Sequence, residues 1–355
     1  MQTFAGRIVV SNFTFSYIRN MKRITIKDLA KMLNLSTSTI SRALSNHPDI
    51  SQSTKKRVKS AAKEFNYITN LHARSFRKQQ SRLLALILPE INMFFTPNLI
   101  KGINQAINAT NYTLLTFLSN DSYQQEKEII QQCLSWSVEG VLISLSKETT
   151  DLQHLKPLRQ AKIKCVLLDK IITSEHYPSV TIDNIEACEN AITYLIQKGH
   201  QNILGIFGNP NFSISNERIE GYKKAIIKNN LPLLEENIIT VEKATDLDMI
   251  LPPILNHNKN ITAIFTMSDE LLVKSLYQVN RLGLSVPKDI SIISISDGVY
   301  PYLTHPQITH IQDSGDKMGK NAATFLIESI TSINSSSKML LPTKIIELNS
   351  VSNKL

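Results

Sequence analysis

Residues 25–44 read TIKDLAKMLNLSTSTISRAL, and the fold of the first part of the chain follows from this stretch. Thr25-Ile26-Lys27-Asp28 is a capping box, in which a hydroxyl and an acid three residues later satisfy the unpaired amides of a first helical turn. Ile26, Leu29, Ala30 and Leu33 then recur at i, i+3, i+4 and i+7, one apolar face. After the break at Asn34-Leu35, Ser36 can cap a second helix with Ile40, Ala43 and Leu44 turned inward. Its outward positions are Thr37, Ser38, Ser41 and Arg42. Beyond a loop with Pro48, a third helix starts within 51–54 and places Val58, Ala61, Ala62 and Phe65 on one face. This arrangement predicts a helix-turn-helix unit. Small outward residues let the second helix approach base edges, and the forked Arg42 can take two acceptors of guanine. The competing reading is a plain three-helix bundle with solvated lysines.

Charge decides between the two. The chain has 355 residues and a formal net charge of +9. Residues 21–82 hold 14 Lys and Arg against 3 Asp and Glu, a local charge of +11. Residues 83–355 hold 23 against 27, or −4. A small basic head on a mildly acidic body is the footprint of a DNA-binding module joined to a partner domain. With 42% hydrophobic and 19% charged residues, the chain can bury a core and is not a disordered polymer. Its longest apolar run, residues 83–88, is six residues, against the roughly 20 that a membrane-spanning helix needs, so no membrane partner is expected. Cys133, Cys165 and Cys188 form no C-x-x-C pair and leave one over, which suits a reducing cytoplasm. Residues 1–20 carry no clear period and are read as a disordered or wrongly included extension, with Met21 as the expected start.

From residue 83 onward, short apolar runs alternate with amphipathic helices. Strands are expected at 83–88, 112–117, 141–144, 165–168, 180–182, 202–207, 263–267 and 290–295, and helices at 97–110, 123–136, 184–198, 217–229 and 268–281. Continuous apolar strands separated by helices imply parallel sheets covered on both faces, an α/β body. Two doubly wound parallel-sheet subdomains are preferred over a single barrel, because the polar stretch 175–178 falls midway. The expected layout is a helix-turn-helix domain at 21–68, a hinge at 69–81 and a ligand-binding and dimerisation domain at 82–355. Its chain would cross between subdomains near 175–183 and again near 298–345.

The sequence resembles the LacI-type family of bacterial transcription regulators, typified by the lactose and purine repressors, over essentially all of residues 21–350. TIKDLAK at 25–31, LSTSTISRAL at 35–44 and ARSF at 73–76 are similar to the family's DNA-reading head and hinge. In the body NMFF at 92–95, VEGV at 138–141, IDN at 182–184, RIEGY at 218–222, SVPKDIS at 285–291 and SDG at 296–298 are similar to its periplasmic-binding-protein-like core. The resemblance implies a homodimer on a near-palindromic double-stranded DNA operator, with a hinge helix near 70–78 that wedges an apolar side chain into the minor groove. That side chain would be Phe76, where the family usually has Leu, and Thr69 stands at the family's usual Pro. A last strand is expected near 344–348, and only residues 349–355 follow it, so no tetramer-forming tail is expected. Together, pattern and resemblance assign DNA contacts to Thr25, Ser36, Thr37, Ser38, Thr39, Ser41, Arg42, Tyr67, Ala73, Arg74 and Phe76.

The resemblance also implies a small-molecule effector in the body, lined by Phe94 and Phe95, Arg218 and Asp297. Asp183 is either a cleft residue or a strand-end turn. An aromatic face, a fixed cation and a carboxylate suit a sugar-like, polyhydroxylated ligand. Enzyme machinery is not expected: there is no phosphate-binding G-x-x-x-x-G-K-[ST], since 315–321 has the wrong spacing, and no G-x-S-x-G or H-E-x-x-H. No cofactor or metal is expected. The remaining alternative is a sugar-binding protein of the same fold without a transcriptional role, which the basic head argues against.

Overall fold

A computed structural model describes residues 24–67, 80–91, 95–331 and 338–354. The expected extension and start at Met21, the hinge residues Ala73, Arg74 and Phe76, and Phe94 lie outside the described residues. The chain divides into two compact units, Met1–Gln80 and Ser81–Leu355.

In the first unit α1 spans Ile26–Leu33, α2 Thr37–Leu44 and α3 Gln52–Glu64. Each begins where a hydroxyl can cap it. Thr25 closes the capping box with Asp28 in both directions, at 2.8 and 3.3 Å. Ser36 accepts the Thr39 amide at 3.0 Å and Ser51 the Thr54 amide at 3.2 Å. Asn34 ends α1 at φ 51°, a left-handed position that Asn tolerates better than most residues. Leu29, Ile40, Ala43 and Val58 are fully buried and form the core with Ala30, Ala61 and Ala62.

The second unit is built from two six-stranded sheets. Along the chain its elements are β1 (Leu83–Leu88), α4 (Phe95–Asn108), β2 (Thr113–Leu118), α5 (Tyr123–Ser135), β3 (Gly140–Ile143), α6 (Lys156–Gln160), β4 (Lys164–Leu168), β5 (Ser179–Ile182) and α7 (Asn184–Gln197). There follow β6 (Ile203–Phe207), α8 (Ser213–Lys228), β7 (Ile238–Thr240), α9 (Leu247–His257), β8 (Ala263–Thr266), α10 (Asp269–Arg281), β9 (Ser291–Ser296), β10 (Thr309–Gln312), α11 (Gly315–Thr331), β11 (Lys338–Leu341) and β12 (Ile345–Ile346). The first sheet runs β11-β5-β4-β3-β1-β2 and the second β12-β10-β9-β8-β6-β7. All neighbours are parallel except β10 and β12. The doubly wound pair, not the barrel, is therefore the architecture. The inner strands are buried along almost their whole length, polar residues of β9 (SIISIS) included, because helices cover both of their faces.

Strand order also fixes where the chain passes between the two lobes: after β5 into α7, after β10 into α11, and between β11 and β12. Helix α11 returns to the first lobe and packs closely on α4. Glycines allow this approach: a Cβ on Gly319 would collide with the Leu99 carbonyl of α4, and one on Gly102 with the Asp316 carbonyl of α11. Neither obstacle is a side chain that could turn away. Gly319→Ala is expected to destabilise the body by about 1–3 kcal/mol through overpacking. Denaturant unfolding checks this, and an unchanged midpoint would contradict it.

Candidate functional site

The outer face of the first unit is α2. Thr37, Ser38 and Arg42 are exposed on it, and Ser41 is half-buried. Three of the other residues assigned to DNA also use their hydroxyls in bonds within the head, with Thr25 and Ser36 exposed. Thr25 and Ser36 are helix caps, and Thr39 spends its hydroxyl on Ser36 at 2.8 Å. Half-buried Tyr67 packs against the head's apolar core. Lysines of α3 reinforce the surface charge. Lys56, Lys59 and Lys63 are exposed, whereas Lys55 is buried and Arg57 donates to the Leu33 carbonyl at 2.6 Å.

In the second unit a cavity of about 270 Å³ opens at the carboxyl ends of the strands. This is where parallel sheets place ligands, because loops and helix starts converge there. Phe95 at the start of α4 and Phe212 just before α8 contribute the aromatic surface. Arg218, on the second turn of α8, is buried against it. Its Nε donates to Asn184 Oδ1 at 3.0 Å and its Nη2 to Asp313 Oδ2 at 3.3 Å, while Nη1 donates to the Met267 carbonyl. Asp297 follows β9 directly. It accepts the Gly315 amide at 2.7 Å and the Asn98 side chain, so it links a second-lobe loop to α4 and α11. Its own amide donates to Asp269 Oδ2 at 3.2 Å, and Asp269 Oδ1 accepts the Ser296 hydroxyl.

These acids share one poorly hydrated space. Burial pushes the Asp313 carboxyl up to about 7, against the pull of Arg218 and with the push of Asp169 and Asp297. Burial likewise raises Asp269 to about 6, with hydrogen bonds from Ser296 and the Asp297 amide opposing it. Asp169 and Asp297 are displaced upward for the same first reason. Asp313 Oδ1 is buried and has no hydrogen-bond partner.

Of the residues assigned to the ligand, Phe95, Arg218 and Asp297 come together on this cavity. Asp183 does not. Half-buried, it caps α7 by accepting the Glu186 amide at 2.9 Å, so the strand-end alternative describes its place. Sequence reasoning missed Asp169, Asp269, Asp313, Phe212 and Asn184, the last of which orients Arg218. Asp169 and Asp313 each follow a strand immediately, a signal available beforehand. Among the described residues no helix is long and apolar enough to cross a membrane.

Comparison with known proteins places both units. The family model of bacterial regulatory proteins of the lacI family matches residues 25–70, and that of the periplasmic binding protein-like domain matches residues 192–351. The HTH-type transcriptional regulator RegA of Clostridium acetobutylicum is 31% identical, over 86% of this chain and 92% of its own. Catabolite control protein A of Priestia megaterium is 29% identical, over 81% of this chain and 87% of its own. Among solved structures, the lac repressor dimer bound to operator and the anti-inducer ONPF has the same fold. Its TM-score is 0.83 at 20% identity, over 93% of this chain and 100% of that one. A transcriptional regulator CelR–cellobiose complex gives 0.68 at 22% identity, over 92% of this chain and 100% of that one. A basic helix-turn-helix head, a two-lobed body with its cavity at the strand ends, and relatives aligned through both units lead to one conclusion: the chain belongs to the LacI family of bacterial transcription regulators.

Proposed function

We propose that the protein binds a near-palindromic operator as a homodimer, and that a small polyhydroxylated ligand held in the body cavity sets its operator affinity. The observation that carries the ligand half is the meeting of two aromatic rings, Phe95 and Phe212, with a fixed guanidinium and several carboxylates in one cavity. Aromatic faces take the apolar side of a sugar ring, while convergent carboxylates and Arg218 take its hydroxyls. The solved complex of a relative with cellobiose and that of the lac repressor with operator support the same reading.

In the head, Thr37, Ser38, Ser41 and Arg42 are assigned base-edge contacts, and Thr25 and Ser36 help to build the helix starts that meet phosphates. Thr39 and Tyr67 are assigned to DNA beside them on sequence grounds, Tyr67 with one side on the head's apolar core. Ala73, Arg74 and Phe76 are assigned to the hinge on sequence grounds, with Phe76 as the minor-groove wedge. Phe94 stands beside Phe95 in the ligand assignment on the same grounds. Arg42→Ala is expected to weaken operator binding by about 1–3 kcal/mol and to relax preference at one base pair. Binding measured against a panel of single-base operator variants checks this. Equal weakening on every sequence would reduce Arg42 to a phosphate contact.

Genomic DNA fragments recovered with the purified protein supply the operator. A sugar panel screened by operator affinity then tests the ligand. A sugar that changes that affinity in the parent, but not after Phe212→Ala, is the expected result. Operator affinity indifferent to every ligand that binds the body would overturn the proposal.

A further inference from the structure

The cavity carries more negative charge than a neutral polyol calls for. Among the described residues its lining holds the carboxyl groups of Asp169, Asp269, Asp297 and Asp313 with those of Glu90, Asp121, Glu242 and Glu270, against the cations Arg218, Lys147, Lys170 and Lys243. Lys101 and Asp316 act on Asp297 from the neighbouring helices.

Two further observations concern what would fill it. Asp313 is 6% exposed, its Oδ2 is taken by Arg218, and its Oδ1 is buried without a partner. A carboxylate oxygen withdrawn from water in this way gains most from a cationic donor. On the opposite side, the Phe212 ring already has a cation against its face, the Lys170 ammonium 4.4 Å from the ring centroid. That position is taken by the protein's own cation, so Phe212 is assigned to the apolar side of a ligand.

Building on the ligand reading above, we infer that the effector is a cation, a polyhydroxylated primary amine of the amino-sugar or amino-polyol class, whose ammonium is received by the Asp313 carboxylate. Its hydroxyls meet the remaining acids and Arg218, and its apolar face meets Phe95 and Phe212. Neutral polyols leave the acid excess uncompensated, and sugar acids add to it. Burial is the first cause of the raised proton affinities of Asp313 and Asp269, and neighbouring carboxylates add a repulsion that a cationic ligand would relieve.

Proton linkage gives the sign. Carboxyls that are partly protonated in the free protein ionise when a cation binds, so binding releases protons. Affinity for an amine that stays protonated then rises with pH through about 6 to 7. For an anionic ligand the slope is reversed.

The test uses the intact protein and matched sets of probes: glucamine, sorbitol and gluconate; glucosamine, glucose and glucuronate; galactosamine, galactose and galacturonate. Isothermal calorimetry is run at about pH 5 and about pH 6.5, where every amine of the sets stays protonated. In at least one set the amine is expected to bind about tenfold or more tighter than its neutral and acidic partners, the value of one well-placed charge contact. Its affinity should rise with pH. Asp313→Asn should remove that preference, and thermal unfolding establishes that the variant folds. Phe212→Leu, which keeps an apolar side chain but not the ring, should weaken all members of a set alike and leave the amine preference in place, since the ring meets the ligand's apolar face.

A neutral or acidic member binding best would overturn the cation assignment and leave the polyol reading standing. A flat or falling pH response of the amine, or no binding by any probe, would also overturn it. Operator binding is measured apart from these probes, so the fate of the regulator reading is scored separately.

Discussion

Arg218→Ala is expected to lower the unfolding free energy of the body by about 3–5 kcal/mol, the cost of breaking a buried ion pair from one side. The side chain joins three parts of the second lobe: Asn184 at the start of α7, the Met267 carbonyl beyond β8, and Asp313 beyond β10. Without it the Met267 carbonyl loses this donor, and Asp313 keeps neither its hydrogen bond nor its counter-charge. Protonation of Asp313, already raised to about 7, offsets part of the loss and places the effect toward the lower end of that range. Arg218→Lys should recover only part of it, since an ammonium cannot reproduce a guanidinium's three directions. Denaturant unfolding of the intact protein is the check. A loss below about 1 kcal/mol would mean that the ion pair contributes no more than an exposed one.

Glu126→Ala should have an effect of similar size, in the first lobe. Glu126, on the first turn of α5, is fully buried and its carboxylate holds three groups. Its Oε1 meets His154 Nε2 at 2.8 Å, and its Oε2 accepts the Ser146 amide and the Thr149 hydroxyl, each at 3.0 Å. Truncation strands an amide and an imidazole nitrogen away from water, while the Thr149 hydroxyl keeps Ser146 Oγ, a combined cost of about 3–5 kcal/mol. The same loop carries Lys147 to the cavity, so ligand affinity should fall with stability. Glu126→Gln, which keeps the shape and one acceptor oxygen, should cost less than the truncation. Faster hydrogen exchange at the Ser146 amide of the alanine variant is the local signature. Unchanged exchange would remove Glu126 from its proposed role in fixing this loop.

The head was legible because its determinants are local: every cap joins residues three apart, and the apolar face repeats within one or two turns. In the body the fully apolar strands stood out against the amphipathic helices. The edge strands β7 and β11 did not. Lys338–Leu341 alternates exposed and half-buried positions and has only one neighbour, so its apolar signal is weak. Glycines at 315 and 319 looked like a failed phosphate loop, and only the three-dimensional approach of α4 gives them a purpose. Glu126 in sequence is one more acid on a first turn. Its partners at 146, 149 and 154 lie 20 to 28 residues away, beyond any local pattern.

The cavity acids were partly readable. An acid directly after a parallel strand is a candidate by position, and Asp169, Asp297 and Asp313 all satisfy that rule. So does Asp183, which turns out to be a helix cap, because the residue that ends a strand often also starts the next helix. Separating the two uses requires knowing where each following segment goes. Only Arg218, Asp297 and Phe95 were reached beforehand, and through the family resemblance.

The central claim, that a ligand in the body controls DNA binding by the head, is tested most directly by one thermodynamic cycle. Operator affinity of the intact protein is measured by fluorescence anisotropy at fixed salt, with and without a saturating cavity ligand, and ligand affinity with and without saturating operator. The expected result is a change of about 5- to 150-fold in operator affinity, matched by an equal factor in ligand affinity. Operator affinity that stays the same while the ligand demonstrably occupies the cavity would contradict the account.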